Sequence, residues 1–434
     1  MQEINIGLIG AGVVGGGFVK IFKKQAGFFT SKLGLPVKLR RIADSNPSVF
    51  KNLPTADALC SENAEDILND KEIQIILELI GGTTTAKELV LKALKAGKHV
   101  VTANKALIAE CGPEIFETAE KNGVSVFFEA SVGGGMPTIK TIRESLIGNE
   151  IISVRTIING TCNYILTQMS DKGLSFESAL KDAQRNGYAE ADPTLDIGGG
   201  DTGHKIVIMA SLLYAGYVPY NKIYIEGIEN ITSEDINFAK DFGYCIKLLG
   251  IIKKESETSP VIDVRVHPAM LPEHHILSSV SDVFNAVLIK GDAVGPVLLY
   301  GKGAGEMPTA SAVISDVIDL TRNILEGSPK RIQMDYYCSE REMEIKPVSS
   351  IVNRYYLRFS VADRPKVLAS IDSILGEYDV SIASLVKKDA GEKDFVPVVM
   401  LTHEAREENL QKAISDIEKM DIIKEKTQII RIEE

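Results

Sequence analysis

The stretch Ile4-Asn5-Ile6-Gly7-Leu8-Ile9-Gly10-Ala11-Gly12-Val13-Val14-Gly15 decides the fold of the first part of the chain. Its first half predicts a short buried strand, and its second half fits the pattern G-x-G-x-x-G where a helix begins, over about residues 13–24. In such a turn the first glycine permits the bend, the second admits a pyrophosphate, and the third lets the helix pack closely. A turn used only for packing is the alternative. The position between strand and helix favours dinucleotide binding by Gly10, Ala11, Gly12, Val13, Val14 and Gly15.

Strands and helices alternate after this turn. The sequence predicts further strands at residues 37–43, 73–80, 99–102 and 124–129, with helices at 86–96 and 106–122. This alternation predicts βαβ units and a parallel sheet. We therefore predict an α/β fold with a Rossmann-type dinucleotide-binding domain over residues 1–135. A helix in the region of about 305–325 is expected to return to that domain and complete it.

The regular alternation of predicted strands and helices ends near Gly133-Gly134-Gly135. Residues 136–304 mix predicted helices with predicted strands, which indicates a second domain of the α+β class. The predicted helices are 138–146, 175–186, 202–213 and 234–246, and the predicted strands are 151–158, 247–252, 261–266 and 285–290. Residues 326–352 are polar and are interpreted as a linker. Residues 353–434 show the order βαββαβ, which is that of a ferredoxin-like unit able to fold alone.

Composition narrows the class of protein. The 434 residues carry a net charge of −11, which argues against nucleic acid or an anionic membrane surface as a partner. The first residues run straight into a strand, and no apolar stretch is long enough for a membrane span. The cysteines are scattered without a C-x-x-C pair, as in reduced proteins: Cys60, Cys111, Cys162, Cys245 and Cys338. We therefore expect a cytoplasmic protein.

Two kinds of side chain near the end of the second strand could select the cofactor. Asp44 is placed to bond a ribose 2′-hydroxyl, whereas Arg40 or Arg41 could meet a 2′-phosphate. Asp44 could equally start the turn that follows it. The choice between NAD and NADP therefore stays open at this point.

Charged residues point to chemistry in two other places. Lys105 follows a strand at the carboxyl edge of the predicted sheet, where ligands bind in open α/β folds, although a solvated charge is the alternative. Between residues 190 and 201 the chain carries four carboxylates, which could also bind a divalent metal. Asp201 and Lys205 share one helix face, and the apolar run after Lys205 predicts that the helix is buried. A buried lysine needs a partner and is a candidate for proton transfer.

Four segments together resemble homoserine dehydrogenase: residues 96–105, 129–137, 159–165, and 187–193 with Asp201 and Lys205. The resemblance covers about residues 4–325. It implies the interconversion of L-aspartate 4-semialdehyde and L-homoserine with NAD or NADP, on the route to threonine and methionine. It also implies that residues 136–304 bind substrate and form a dimer or tetramer interface.

The resemblance assigns roles to individual positions. Lys205 would be the catalytic acid/base with Asp201 as its neighbour, and Lys105 would help to hold substrate and nicotinamide. Substrate contacts would come from Glu190, Asp196 and Gly187, and further cofactor contacts from Gly187, Thr83 and Gly303. A monovalent cation, Na⁺, would be held mainly by backbone carbonyls of Glu129, Val132, Gly134 and Met136.

The C-terminal block, residues 353–434, resembles an ACT domain, a regulatory module that often binds amino acids. Residues 363–368 and 380–382 carry the likeness. Lys366 stands where the pattern usually has glycine, and Val386 and Lys387 stand where a glutamine is common. The resemblance implies an L-threonine effector, and a module that only joins subunits is the alternative.

Two other functions compete with this reading of the sequence. A dinucleotide-sensing regulator would have no need of Lys205 beside Asp201. An aldehyde dehydrogenase of another type would need a cysteine nucleophile, for which Cys162 is the candidate.

Overall fold

The first sheet has the architecture that the opening glycine turn predicts. The computed structural model describes residues 3–55, 57–255, 259, 261–328, 331, 343–387 and 395–434. Six strands form the first sheet: β1 (Ile4–Ile9), β2 (Val37–Ala43), β3 (Leu59–Ser61), β4 (Ile75–Glu78), β5 (His99–Thr102) and β6 (Val126–Phe127). All neighbours are parallel, in the order β3-β2-β1-β4-β5-β6. The order reverses between β1 and β4, which is where open α/β sheets bind ligands.

Helices connect these strands: α1 (Val13–Leu33), α2 (Glu65–Leu68), α3 (Thr85–Lys95) and α4 (Lys105–Lys121). The prediction ended the first helix near residue 24, which was wrong, because α1 continues to Leu33. It stops there because Gly34 adopts φ +75° and donates its amide to the carbonyl of Thr30.

The second region surrounds a mixed sheet. Its strands are β7 (Ile151–Ile157), β8 (Tyr224–Ile225), β9 (Tyr244–Lys254), β10 (Val261–Pro272), β11 (Phe284–Gly291) and β12 (Gly295–Lys302). Its helices are α5 (Thr138–Lys140), which continues as a π-turn over Thr141–Ser145, α6 (Gly160–Lys172), α7 (Phe176–Arg185), α8 (Thr194–Ile197), α9 (Gly200–Tyr214) and α10 (Ser233–Asp241). Helix α9 is buried along most of its length and packs on β9 and β10.

The sequence pattern misplaced or missed five elements here, among them the short elements α8 and β8, which were not predicted. The helix predicted over residues 234–246 ends at Asp241, because Gly243 adopts φ +77° and the apolar residues after it enter β9. Helix α6 and strand β12 were not predicted. The segment Asn-Gly-Thr at the start of α6 has turn composition, so the helix is visible only through its cap, Asn159, whose side chain accepts from the Cys162 amide.

Helix α11 (Glu306–Leu325) returns to the first sheet. It packs along α1, where a Cβ added at Gly17 would lie 2.8 Å from the Glu306 carbonyl oxygen. Lys20 and Glu306 form an ion pair of 2.6 Å beside this contact. The buried face of α11 joins the same hydrophobic core as β1.

The C-terminal block has the predicted βαββαβ order, with small additions. Its elements are β14 (Val352–Ala362), α12 (Val367–Glu377), β15 (Ile382–Lys387), β16 (Phe395–Thr402), β17 (Ala405–Arg406), α13 (Glu407–Ile417) and β18 (Gln428–Ile432). Before it, β13 (Glu344–Ile345) lies within the predicted linker and pairs with β10. Residues 329, 330 and 332–342 of that linker, including Cys338, lie outside the described residues.

One pairing joins the C-terminal block to the middle region. Strand β18 runs parallel to β10, so one path β12-β11-β7-β9-β10-β18-β14-β16-β15 crosses both regions. Buried ion pairs flank the junction: Arg431 contacts Glu407 at 2.6 Å, and Arg265 contacts Glu433 at 2.6 Å. The block that the sequence presents as self-contained therefore shares a sheet with its neighbour. Among the described residues, no helix is long and apolar enough to cross a membrane.

Candidate active site

The glycine turn between β1 and α1 leaves one open face. A Cβ at Gly10 would lie 2.7 Å from the Leu79 backbone, and a Cβ at Gly15 would collide with the Gly10 carbonyl oxygen. No atom lies within 4 Å of a Cβ built at Gly12, and Val13 beside it is 72% exposed. The backbone amides at the start of α1 are thus accessible, as binding of a phosphate group requires.

Asp44 lies at this turn, and Arg40 does not pair with it. The Asp44 carboxylate accepts hydrogen bonds from the amides of Ala11 at 2.7 Å and Asn46 at 2.9 Å. Arg40 and Arg41 instead both reach Asp70, at 3.0 and 2.7 Å. Burial raises the pKa of Asp70, but hydrogen bonds from Arg41 and Arg40 outweigh it and lower that pKa to about 2.

Two lysines from different helices share one buried carboxylate. Asp201, in the first turn of α9, accepts from Lys205 Nζ at 2.6 Å, and its other oxygen lies 3.1 Å from Lys105 Nζ. Lys205 also donates to the Ile158 carbonyl at 2.8 Å. Lys105 is the first residue of α4, whose cap is Asn104. The structure thus brings Lys105 to Asp201 and Lys205, the pair that the sequence predicts on one helix face.

The charges of this cluster reinforce one another. Burial would raise the pKa of Asp201, but Lys205 and Lys105 outweigh it and hold that pKa well below its usual range. The carboxylate of Asp201, opposed by burial, raises the pKa of Lys105. The pKa of Asp196 is raised, first by burial and then by the negative charge of Asp201. Asp201 is therefore an anion held between two cations.

Two polar side chains that the sequence analysis quoted without a role complete the cluster. The Asn159 amide donates to Asp196 at 2.7 Å and to Asp201 at 2.8 Å. The Thr161 hydroxyl donates to the Tyr188 carbonyl at 2.6 Å and lies 3.1 Å from Asp196. The signal that could have found them is the helix cap at Asn159, which places both residues at one end of α6.

The loop after α7 lies near the lysine cluster. Glu190 is exposed, and its negative charge contributes to the raised pKa of Lys105. Gln184 holds the Glu190 backbone by donating to its carbonyl at 3.1 Å. Gly187 is exposed and adopts φ +74°, a conformation that favours glycine.

The other predicted cofactor residues lie on two loops. Thr83 follows Gly82, whose carbonyl accepts from the Asn104 side chain at 2.7 Å. Gly303 packs so tightly that an added Cβ would collide with the Asn285 amide group, and one at Gly134 would collide with the Gly303 carbonyl.

The predicted cation segment is buried, but its carboxylate is already used. Glu129 accepts from the amides of Ile139 and Lys140, each at 2.9 Å. Burial and the charge of Asp316 raise the pKa of Glu129 to about 7. The oxygens left to a cation are the backbone carbonyls of Glu129, Val132, Gly134 and Met136. Of these, the Met136 carbonyl accepts from the Thr138 amide at 2.8 Å and the Glu129 carbonyl from the Val132 amide at 3.4 Å. Across the described residues, no group of three His, Cys, Asp or Glu side chains could hold a metal.

Comparison with known proteins gives this geometry a family. The family model for the NAD-binding domain of homoserine dehydrogenase matches residues 10–129, and the homoserine dehydrogenase model matches residues 137–318. The chain is 41% identical over 435 residues to a homoserine dehydrogenase of Neisseria gonorrhoeae, covering 100% of this chain and 99% of that one. The chain belongs to the homoserine dehydrogenase family.

Solved homoserine dehydrogenases have the same fold. The crystal structure of the enzyme from Thiobacillus denitrificans is 42% identical, with a TM-score of 0.93, and covers 100% of this chain and 99% of that chain. A hyperthermophilic archaeal homoserine dehydrogenase in complex with NADPH is 26% identical, with a TM-score of 0.60, and covers 74% of this chain and 98% of that chain. An oxidoreductase with a domain that binds NAD or NADP is thus confirmed.

Membership in the homoserine dehydrogenase family also removes the two competing functions. Because the members of this family are enzymes, the interpretation as a dinucleotide-sensing regulator is excluded. The thiol of Cys162, the nucleophile of the other alternative, is buried, which raises its pKa well above the usual value, and its sulfur lies 3.1 Å from the Asp196 carbonyl. A thiol held protonated in this way is a poor nucleophile.

Proposed function

We propose that Lys205 is the acid/base with which this homoserine dehydrogenase interconverts L-homoserine and L-aspartate 4-semialdehyde, on the route to threonine and methionine. The observation that carries the proposal is the Asp201 carboxylate shared by Lys205 and Lys105. The lysine cluster includes the start of α4, which follows β5 at the carboxyl edge of the first sheet, the edge that also carries the glycine turn.

The chemistry that Lys205 performs follows from its partners. The cofactor supplies or receives a hydride at the substrate carbon. During reduction, negative charge grows on the aldehyde oxygen, and an ammonium placed there stabilises that charge and then donates a proton. Asp201 and the Ile158 carbonyl hold the ammonium of Lys205 in one orientation. Asp201 is therefore a partner that keeps the ammonium group of Lys205 in position.

Substrate recognition would use complementary charges. Both substrates carry an α-carboxylate and an α-amino group, which require a cation and an anion. We propose that Lys105 binds the carboxylate and that Glu190 binds the amino group, with Asp196 and Gly187 as further contacts. The negative charge of Glu190 supports this arrangement, because after Asp201 and Asp196 it also contributes to the raised pKa of Lys105.

The cofactor would lie across the opening between β1 and β4. Contacts would come from Gly10, Ala11, Gly12, Val13, Val14, Gly15, Thr83, Lys105, Gly187 and Gly303. The position of Asp44 at the turn supports a hydrogen bond to a ribose hydroxyl of NAD. Arg40 would bind the 2′-phosphate of NADP only after it releases Asp70. Parallel assays with NAD and NADP decide between them.

Different regions of the chain would bind the cofactor and the substrate. Residues 1–135, completed by residues 305–325, would bind the cofactor, and residues 136–304 would bind substrate and form a homodimer or homotetramer in the cytoplasm. Na⁺ would be held by backbone carbonyls of Glu129, Val132, Gly134 and Met136, because carbonyl oxygens suit hard cations. Dependence of activity and of the melting temperature on NaCl, with choline chloride as control, tests this ion.

The C-terminal block, residues 353–434 after the linker of residues 326–352, would be an ACT-like domain that senses L-threonine. A cavity of about 360 Å³ beside Lys366 and Arg364, lined also by Lys387, supports a small anionic or zwitterionic ligand. L-threonine should inhibit the full-length enzyme, and Lys387→Ala should weaken that inhibition without changing basal turnover. Equal inhibition of both proteins, or none, excludes this cavity.

Oxidation of L-homoserine with NAD and NADP tests the reaction, and Lys205→Ala tests the acid/base. We expect Lys205→Ala to lose at least about 10²-fold in kcat. Lys247→Ala is the matched control, because Lys247 is also a buried lysine of the middle region, and it donates to the Val280 carbonyl at 2.6 Å. Near-normal turnover of Lys205→Ala would refute the assignment.

A further inference from the structure

Glu78 is a buried carboxylate at the carboxyl end of β4. Its side chain is 0% exposed, and within the described chain it forms no ion pair. One oxygen accepts from the amides of Ile80 at 3.0 Å and Gly81 at 3.2 Å, and the other accepts from the Thr102 hydroxyl at 2.6 Å. Burial raises its pKa, against these hydrogen bonds. A buried carboxylate whose partners are all neutral is unfavourable for stability, so its position needs a reason.

Its first set of partners fixes the loop after β4. Gly81 and Gly82 adopt φ +77° and +74°, so two consecutive residues lie in the left-handed region. Such a segment has few conformational restraints of its own. The hydrogen bonds to Glu78 hold the beginning of this loop, and the side-chain amide of Asn104 donates to the Gly82 carbonyl.

Its second partner leads to Lys105. The Thr102 hydroxyl, which donates to Glu78, accepts from the backbone amide of Asn104 at 2.9 Å. Asn104 caps α4 by accepting from the Leu107 amide at 3.1 Å, and α4 begins at Lys105. A continuous chain of hydrogen bonds through Glu78, Thr102 and Asn104 thus links the loop after β4 to the start of α4.

We infer that Glu78 is a positioning residue that sets the loop of residues 79–83 directly and sets Lys105 through Thr102. The inference rests on the proposed function, in which that loop contacts the cofactor and Lys105 contacts both substrate and nicotinamide. Because the two branches leave different oxygens of one carboxylate, Thr102 can be changed while the amides of Ile80 and Gly81 keep their acceptor. A residue that served only to stabilise the fold would not divide cofactor affinity from substrate turnover.

Two variants and one control test the inference. Glu78→Met removes both branches, while Thr102→Val removes only the branch to Lys105. Thr402→Val is the matched control, because Thr402 is equally buried and its hydroxyl accepts from the Tyr355 amide at 3.0 Å, in the C-terminal block. The measurements are the dissociation constants of NADPH and NADH by fluorescence, and kcat and KM for L-homoserine.

We expect Glu78→Met to weaken cofactor binding and to lower kcat/KM for L-homoserine, each about tenfold or more. Thr102→Val should lower kcat/KM about tenfold while cofactor affinity falls by a smaller factor, because the hydrogen bonds that Glu78 accepts from Ile80 and Gly81 stay in place. Thr402→Val should match wild type in both. If Glu78→Met does not fold, the split shown by Thr102→Val still decides.

Two results would overturn the inference. One is a Thr102→Val enzyme with unchanged kcat/KM, and the other is an equal loss of cofactor affinity and turnover in that variant. Failure of the proposed function would look different, because the wild-type enzyme itself would then not oxidise L-homoserine.

Discussion

Replacing Asp201 by asparagine tests how strongly the shared carboxylate holds the two lysines. The ion pair with Lys205 spans 2.6 Å, and both side chains are nearly buried. At that distance and an effective dielectric constant of about 20, the attraction is about 6 kcal/mol, much of it offset by desolvation. Removing one partner of a buried pair costs about 3–5 kcal/mol, because the other charge stays buried. Asparagine keeps an acceptor and Lys205 keeps its hydrogen bond to the Ile158 carbonyl. We therefore expect Asp201→Asn to lower the free energy of unfolding by about 3 kcal/mol.

Urea denaturation followed by circular dichroism measures this loss. Asp192→Asn is the control, because Asp192 is an exposed acid of the same stretch, and it should have a much smaller effect. The double variant Asp201→Asn with Lys205→Met should lose less than the sum of the single losses, since its Lys205 charge is gone. A loss under about 1 kcal/mol in Asp201→Asn, or strict additivity in the double variant, would refute the reasoning.

Three further predictions concern other parts of the molecule. Burial lowers the pKa of His99 to about 4, below its unfolded value of about 6.5, so its stabilising contribution is complete above pH 6.5 and is lost as pH falls toward 4. The contribution of His99 to the free energy of unfolding should therefore fall by about 2 kcal/mol between pH 7.5 and 5, measured as the change in the difference between wild type and His99→Gln in urea denaturation at the two pH values. Lys366 adopts φ +72°, so Lys366→Gly should raise the free energy of unfolding by about 1 kcal/mol in urea denaturation, and an unchanged or lower value would contradict this. Glu407 holds the Arg431 guanidinium with both oxygens, so Glu407→Gln should lower that free energy by about 3 kcal/mol, and an unaltered urea midpoint would contradict the role of this pair.

What the sequence could predict was local. The strand, glycine turn and helix of residues 4–15 are recognisable because apolar runs and glycines report their own backbone. Asp201 and Lys205 were predicted to share a helix face because four residues make about one helical turn. From their positions in the sequence, Arg40 and Asp44 are alternatives for one role, and only the structure shows that Arg40 has a carboxylate partner, Asp70, some thirty residues away.

What the sequence could not predict depends on contacts between distant segments. Nothing in residues 99–105 indicates that Lys105 meets Asp201, since that contact requires α4 and α9 to pack together. Glu78 stands alone in an apolar strand, which could have marked it, but its partner Thr102 ends the next strand, and Asn104, which donates to Thr102, caps the helix after that strand. The pairing of β18 with β10 likewise leaves no trace in the spacing of apolar residues, because each strand alternates the same way whichever neighbour it has.

The pairing of β18 with β10 has a practical consequence for any attempt to separate the C-terminal block. A chain cut near residue 350 loses the strand that covers part of β10, and the Met270 carbonyl loses the Glu433 amide that donates to it. An uncovered strand edge recruits other chains, so the shortened protein would tend to aggregate whatever its catalytic competence. Loss of function after truncation would then measure solubility, and the regulation of this enzyme is better dissected by single substitutions in the intact chain.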